Sequence, residues 1–262
     1  AGDRGAQLVV WPESAFPFLF DRAQTQIYPT GHPWDVRGRY RGKLLFGALS
    51  HPFGAAHVFN SAVLVGDDGA VRGTYDKVRL VVFGEYIPMR DRFPAWAARL
   101  RARTPDWPDI QPGAAPRVLV DGALRVGPLI CYEDILPDHV AAMGRAGDPN
   151  LLVTLANHAW FGASPAPHQA LALATLRAIE TRRDLVRASN TGVSSIGDGL
   201  GRISRRGSLH AVDPARPIAP ELIVADVRLY DGFALGPWSV PAFPWACAAT
   251  LVLAVFVRIE RP

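Results

Sequence analysis

Cysteine is scarce in this sequence: Cys131 and Cys247 are the two among 262 residues. So few in so long a chain exclude a disulfide-stapled scaffold. Lysine is scarcer than the charge suggests. Of 28 basic residues only Lys43 and Lys77 are lysines, and the rest are arginines. Charge of either sign is thin, with 20% charged residues against 49% hydrophobic and a net charge of +4. A chain this apolar is not disordered. The pI near 9.4 is that of many nucleic-acid binders. The arginines, however, form no clustered stripe with interleaved aromatics, so no nucleic-acid partner is expected. Several motifs are missing. There is no Gly-x-Gly-x-x-Gly and no Walker loop, no Gly-x-Ser-x-Gly elbow of a serine hydrolase, and no His-Glu-x-x-His or Cys-x-x-Cys. The seven histidines are scattered. Neither a metal nor an organic cofactor is expected. No internal repeat or low-complexity tract stands out, and the length suits one large domain or two small ones.

What is present is one long hydrophobic run. Gly232 to Val257 carries no charge. Its part from Trp238 to Val257 would span about 30 Å as a helix, the thickness of a bilayer core. Pro241 and Pro244 fall near its beginning, where a first turn tolerates them. Trp238 and Trp245 suit an interface, and Arg258 and Arg261 put the C-terminus on the cytoplasmic side. The alternative is a buried C-terminal core helix, which rarely runs so far without a charge. The expected division is residues 1–231 as a folded domain, 232–257 as a transmembrane helix and 258–262 as a cytoplasmic tail. At the other end Ala1 is not Met. A strand-like run, Leu8-Val9-Val10-Trp11, begins almost at once, which reads as a chain starting within a domain.

Between the ends, strands and helices mix. Strands are predicted at Leu44–Leu49, Val58–Val65 and Val71–Tyr75, the last two joined by an Asp67-Asp68-Gly69 hairpin. A helix is predicted over 89–103, followed by a proline-rich loop over 105–116. A second hairpin joins Val118–Val120 to Leu124–Ile130 through Asp121-Gly122. Helices at Ile135–Gly144 and His168–Arg183 flank a buried strand, Leu151–Leu155. Further strands are predicted at Val193–Ile196, Arg202–Ser204 and Leu222–Val227. The pattern is α/β, with either one mixed sheet or two packed sheets and helices outside.

Three residues could carry chemistry. Cys131 sits where a strand gives way to a helix, a turn that exposes a nucleophile beside backbone N–H groups; a lone cysteine is otherwise a small buried hydrophobe. Lys77 is a lysine in a chain that elsewhere uses arginine, which suggests a compact charge able to reach an oxyanion. Glu13, in Trp11-Pro12-Glu13-Ser14, could be desolvated enough to act as a base. Read alone it could equally be an ordinary loop glutamate.

Together, Glu13, Lys77 and Cys131 resemble the triad of the nitrilase, or carbon–nitrogen hydrolase, superfamily. Within it the chain is most similar to the apolipoprotein N-acyltransferases. The stretches that carry the resemblance are Val9-Val10-Trp11-Pro12-Glu13-Ser14-Ala15, Tyr75 to Pro88, Ile130-Cys131-Tyr132-Glu133-Asp134, Ala159-Trp160-Phe161-Gly162 and Arg187 to Val193. Phe83-Gly84-Glu85-Tyr86 and Trp160-Phe161-Gly162 favour the acyltransferases over soluble amidases. The resemblance implies an α-β-β-α sandwich of two mixed sheets plus one C-terminal transmembrane helix. It implies that Cys131 takes a fatty acyl group from a phospholipid as a thioester. Glu13 would be the base and Lys77 the oxyanion partner, with Glu85, Tyr132 and Glu133 supporting the site. Trp160 and Phe161 would lie against substrate. The acceptor would be the N-terminal amine of a diacylglyceryl-cysteine apolipoprotein, at the bacterial inner membrane with the domain on the periplasmic side. The sequence departs from the family at Arg79 (usually His), Val82 (usually Pro) and His158 (usually Asp), which bears on loop geometry. The family also carries a strand and a membrane domain before this region, so the chain expressed alone is expected to be unstable or inactive. The competing readings are an amidase passing its acyl group to water and a non-catalytic membrane-anchored domain of the same fold.

Overall fold

A computed structural model describes residues 4–52, 58–103, 109–162, 164–209 and 220–259, with side chains up to Ala254 in the last helix. The first sheet contains β1 (Leu8–Val10), β2 (Phe20–Asp21), β3 (Lys43–His51), β4 (Phe59–Val65) and β5 (Val71–Asp76). Its order is β1-β3-β4-β5, with β2 also on β3. β1 and β2 run parallel to β3, and the other pairs are antiparallel. The second sheet contains β6 (Leu119–Asp121), β7 (Leu124–Ile130), β8 (Leu151–Asn157), β9 (Leu185–Asn190), β10 (Ser195–Gly197) and β11 (Ile203–Arg206). Its order is β11-β10-β9-β8-β7-β6, with β7, β8 and β9 parallel. Both sheets are therefore mixed, as the two-sheet reading required. The hairpins at Gly69 and Gly122 form as expected, each glycine adopting a positive φ (85° and 63°) that side chains resist.

Side-chain alternation packs the sheets. In β8, Leu151, Val153 and Leu155 join Leu45, Leu64, Tyr75, Val126 and Ile130 in the core between the sheets. Leu152 points the other way, against Leu129, Val140, Ala174, Ala178 and Leu185. That outer layer is built by α2 (Pro137–Gly147) and α3 (Ala166–Thr181). In β3, Leu44, Phe46 and Ala48 face outward and are covered by Trp11, Phe16, Phe20, Ile27 and Val36. Each large side chain buried this way contributes roughly 1.5–3 kcal/mol before chain entropy is counted.

Three sequence readings need correction. The segment Leu222–Val227 is not a strand. Val227 packs on the core, but the chain just beyond is held without a ladder. The Arg228 N–H donates to the Asp184 carboxylate (2.7 Å) and the Tyr230 N–H to the Asn150 carbonyl (3.3 Å). The helix over 89–103 is shorter, α1 (Pro94–Arg101). Met89 has a positive φ (54°), and Pro94 disfavours helix at the residue before it. β9 was not anticipated, because Arg187 interrupts its apolar pattern. The start of the proline-rich loop, residues 105–108, lies outside the described residues.

The last helix, α4 (Gly236–Ile259), contains Pro241 and Pro244 in its interior rather than in its first turn. Proline at 241 has no N–H to give the carbonyl of Pro237. Arg145 of α2 donates to that carbonyl instead. Gly144 lets α2 approach, since a Cβ there would stand 2.7 Å from the Pro237 ring. Among the described residues α4 is the one helix long and apolar enough to cross a membrane. Its stretch Gly236–Ala254 has a mean hydropathy of 1.2 and is 6% buried.

Candidate active site

Three strands end at one place, and each hands over a polar side chain. β1 leads into Glu13, β5 into Lys77 and β7 into Cys131. The Glu13 loop turns back onto β3. The Phe16 N–H donates to the Gly47 carbonyl, and the Gly47 N–H to that of Pro12. Only glycine fits at 47, because a Cβ would stand 2.5 Å from the Pro12 oxygen and 2.6 Å from the Glu13 Cα. Gly47→Ala is therefore expected to push Glu13 away from its partners. Since a misplacement of about 1 Å can cost 10²-fold, the rate at which Cys131 reacts should fall by about that factor while circular dichroism stays unchanged.

Lys77 is 1% exposed and lies between two carboxylates. Its Nζ is 2.8 Å from Glu85 Oε1 and 3.4 Å from Glu13 Oε1. Burial acts to lower its pKa, but the charge of Glu13, the coupling to the acidic Cys131 group, and the charge and hydrogen bond of Glu85 outweigh burial and hold it above the ordinary lysine value. The lysine is thus a fixed cation. Glu85 also accepts the Val81 N–H (2.8 Å), which ties the loop over 81–86 to the lysine.

The Cys131 thiol is pushed up to about 12, first by burial and then by the charge of Glu13, with Lys77 opposing. The resting cysteine is a thiol, and attack requires a base acting at that moment. Cys131 has a positive φ (57°) and opens a 3₁₀ turn, Cys131–Ile135. A non-glycine residue held there is strained, and such strain recurs at nucleophile turns.

Glu133 fastens this turn. One oxygen accepts the N–H groups of Val78 (2.8 Å) and Arg79 (3.0 Å), and the other accepts the Tyr75 hydroxyl (2.9 Å) and the Ile130 N–H (2.8 Å). A single carboxylate thereby ties the residues after Lys77 to the residue before Cys131. Burial raises its pKa to about 7 against those hydrogen bonds. The Arg79 contact is made by backbone, so histidine or arginine at that position serves equally. Tyr132 donates to the Leu80 carbonyl (3.0 Å), and its ring lies 5.7 Å from the lysine Nζ.

Sequence reasoning overlooked Asn60. Its Nδ2 donates to Glu13 Oε1 (2.7 Å) and Glu85 Oε1 (3.3 Å), and its carbonyl accepts the Lys77 N–H (2.8 Å). The signal was a polar pair, Asn60-Ser61, inside an otherwise apolar strand. Tyr75 and His139, which meet at 3.1 Å behind Glu133, were overlooked too.

Trp160 and Phe161 stand on a short turn after β8, next to β7 in the sheet, with Trp160 70% exposed. His158 anchors this turn, its buried ring edge-on to Phe161 (centroids 5.6 Å apart). Arg187 donates to His158 Nε2 (3.2 Å) and, through Nε, to Asp134 Oδ2 (2.9 Å). Because arginine can only donate, the His158 proton belongs on Nδ1. Burial, then the charge of Arg187, lowers the His158 pKa to about 4 from 6.5. The folded state keeps this ring neutral while the unfolded chain protonates it below 6.5. Its contribution to stability is therefore present above pH 6.5 and drains as pH falls toward 4. Tm measured across that window should fall less steeply for His158→Gln than for the parent, and parallel slopes would contradict the assignment.

Among the described residues no group of three or more His, Cys, Asp or Glu could hold a metal.

Residues 1–229 match the carbon–nitrogen hydrolase family. The chain is 36% identical to an apolipoprotein N-acyltransferase of Geobacter metallireducens, over 98% of this chain and 46% of that protein. It is 34% identical to one of Rhodopseudomonas palustris, over 100% and 47%. The chain thus spans just under half the length of these curated relatives. Among solved structures it resembles a mutant of the Nesterenkonia AN1 amidase from the nitrilase superfamily, with TM-score 0.56 and 23% identity over 80% of this chain and 78% of the other. A carbon–nitrogen hydrolase of Helicobacter pylori gives TM-score 0.57 at 13% identity, over 80% and 76%.

Proposed function

The chain belongs to the carbon–nitrogen hydrolase family, and on that premise we propose that it acts as an apolipoprotein N-acyltransferase with Glu13, Lys77 and Cys131 as its triad. The observation that carries the proposal is the meeting of a buried cation, a buried carboxylate and a free cysteine at three strand ends. The acceptor class comes from the acyltransferase names of the relatives.

Glu13 removes the thiol proton as Cys131 sulfur attacks the ester carbonyl of a phospholipid. Negative charge moves to the carbonyl oxygen, where Lys77 and a backbone N–H beside Cys131 stabilise it. The intermediate collapses to a thioester, and the departing lysophospholipid oxygen takes the proton back from Glu13. The amine of a diacylglyceryl-cysteine apolipoprotein then attacks the thioester. Glu13 accepts the amine proton and returns it to the leaving sulfur. Glu85 and Asn60 keep Glu13 and Lys77 in register, and Glu133 keeps the two turns together.

A lipid substrate agrees with the surface around the strand ends. Val81, Val82 and Phe83 after β5, and Trp160 and Phe161 after β8, are exposed apolar side chains. The division proposed is residues 1–231 catalytic, 232–257 membrane-spanning and 258–262 cytoplasmic. It places the site on the periplasmic face of the inner membrane, where donor and acceptor both reside.

Mass spectrometry after mixing the chain with phosphatidylethanolamine tests the reading. The expected result is an adduct of fatty-acyl mass on Cys131 that leaves when a diacylglyceryl-cysteine peptide is added. Because the adduct needs only one turnover, it does not depend on steady-state activity. Absence of an adduct on folded protein would sink the proposal. Equal loss of the adduct with and without the peptide would point to hydrolysis instead.

A further inference from the structure

We propose that the outer face of α3, with the turn over 198–202, rests on an anionic lipid surface. α3 is apolar almost all round, with no charged residue from Ala166 to Leu176. Its inner face, Leu171, Ala174 and Ala178, is buried against the second sheet. Its outer face is also apolar. Leu173, Leu176 and Ile179 follow at helical spacing and are exposed, Leu176 by 45%. A helix apolar on both faces is built to be covered on both.

The neighbourhood extends this stripe and gives it a charged border. Gly201 lies so close that a Cβ there would stand 2.7 Å from Ile179 Cδ1. That contact brings Leu200, 53% exposed, beside the stripe. β11 leads back along the helix, with Arg206 Nη2 at 2.5 Å from His168 Nδ1 in the first turn of α3. Arg202 and Arg206 thus border the helix, Arg182 caps its end, and all three are exposed. The acidic groups nearby are engaged. Glu180 pairs with Arg177 (2.7 Å), and Asp198 accepts the N–H groups of Leu200 and Arg202.

Charge decides between occupants. A second copy of this chain meeting the face two-fold would set the same three arginines against each other. Anionic headgroups pair with the arginines, and the acyl boundary below them takes the leucines. A bilayer is also within reach, because α4 starts against the end of α3. A Cβ on Gly236 would collide with the Glu180 carbonyl. From the preceding section this inference borrows only the placement of α4 in a bilayer.

The test reconstitutes the whole chain with vesicles of phosphatidylcholine, alone or mixed with phosphatidylglycerol, and follows hydrogen exchange. Exchange over 166–181 and 198–206 is expected to slow at least about fivefold in the anionic vesicles, roughly the attraction of one arginine. High salt should abolish the difference. So should R182Q/R202Q, a variant changed only at exposed positions, and so should Leu176→Glu. Equal exchange in both vesicle types would overturn the proposal. Slowing that follows the protein-to-lipid ratio whatever the headgroup would overturn it in favour of a second copy. Flotation with phosphatidylcholine at high salt reads α4 alone. If the chain does not float there, the anchor reading fails, while the headgroup comparison still decides the α3 surface.

Discussion

Cys131→Ala is expected to abolish the acyl adduct and to lower N-acylation of a diacylglyceryl-cysteine peptide by at least about 10⁴-fold, the scale of loss when a covalent nucleophile is removed. No second thiol can substitute, because Cys247 lies exposed on α4. The loss should come without unfolding. Alanine removes one sulfur from a half-buried position and leaves untouched the bonds that hold the turn, since those run through Glu133 to Val78, Arg79, Tyr75 and Ile130. Cys131→Ser sharpens the test. A serine hydroxyl is a far weaker acid than a thiol, so Glu13 has less leverage on it, and the serine variant should fall almost as far as alanine. A Cys131→Ala protein that kept a tenth of its activity would show that the acyl group passes directly from donor to amine.

The proposed triad was legible because each member follows a strand, and strands announce themselves by apolar runs. Lys77 and Cys131 come directly after Val71–Asp76 and Leu124–Ile130, and Glu13 comes three residues after Leu8–Val10. The support around the triad was less visible. Asn60 and Tyr75 lie inside strands, and even a polar pair such as Asn60-Ser61 in an apolar strand does not say what it touches. What they touch depends on register between β4 and β5 and on the facing of the two sheets, which are long-range facts. β9 shows the converse. Arg187 in its centre breaks the apolar signal, and only its ion pair with buried Asp134, 53 residues away, makes burial tolerable. Leu222–Val227 misled in the opposite direction. Val227 packs on the core while Leu222 is exposed, and the backbone just beyond finds a side chain and a loop carbonyl rather than a neighbouring strand.

Lys77 offers the sharper separation of structure from chemistry. Lys77→Met keeps the length of the side chain and removes its charge. Glu13 and Glu85 would then share Asn60 with no cation between them, both largely buried. Stripping one partner from a buried ion cluster costs about 3–5 kcal/mol, so Tm should drop clearly. Activity should vanish as well, because the oxyanion loses its nearest charge. Lys77→Arg keeps the cation, so the carboxylates stay compensated, and only the overpacking cost of about 1–3 kcal/mol remains. The guanidinium is flat and wide, and its charge is spread over three nitrogens. Packed between Glu13 and Glu85, it cannot present a compact donor to an oxygen above Cys131. The arginine variant should therefore be the more stable of the two and still lose about 10²–10³-fold in acylation rate, the usual cost of one oxyanion donor. Thermal melts and adduct kinetics on both variants decide the matter. Near-parent rates for Lys77→Arg would mean that the site needs only a positive charge, and the scarcity of lysine in this chain would then carry no functional message at position 77.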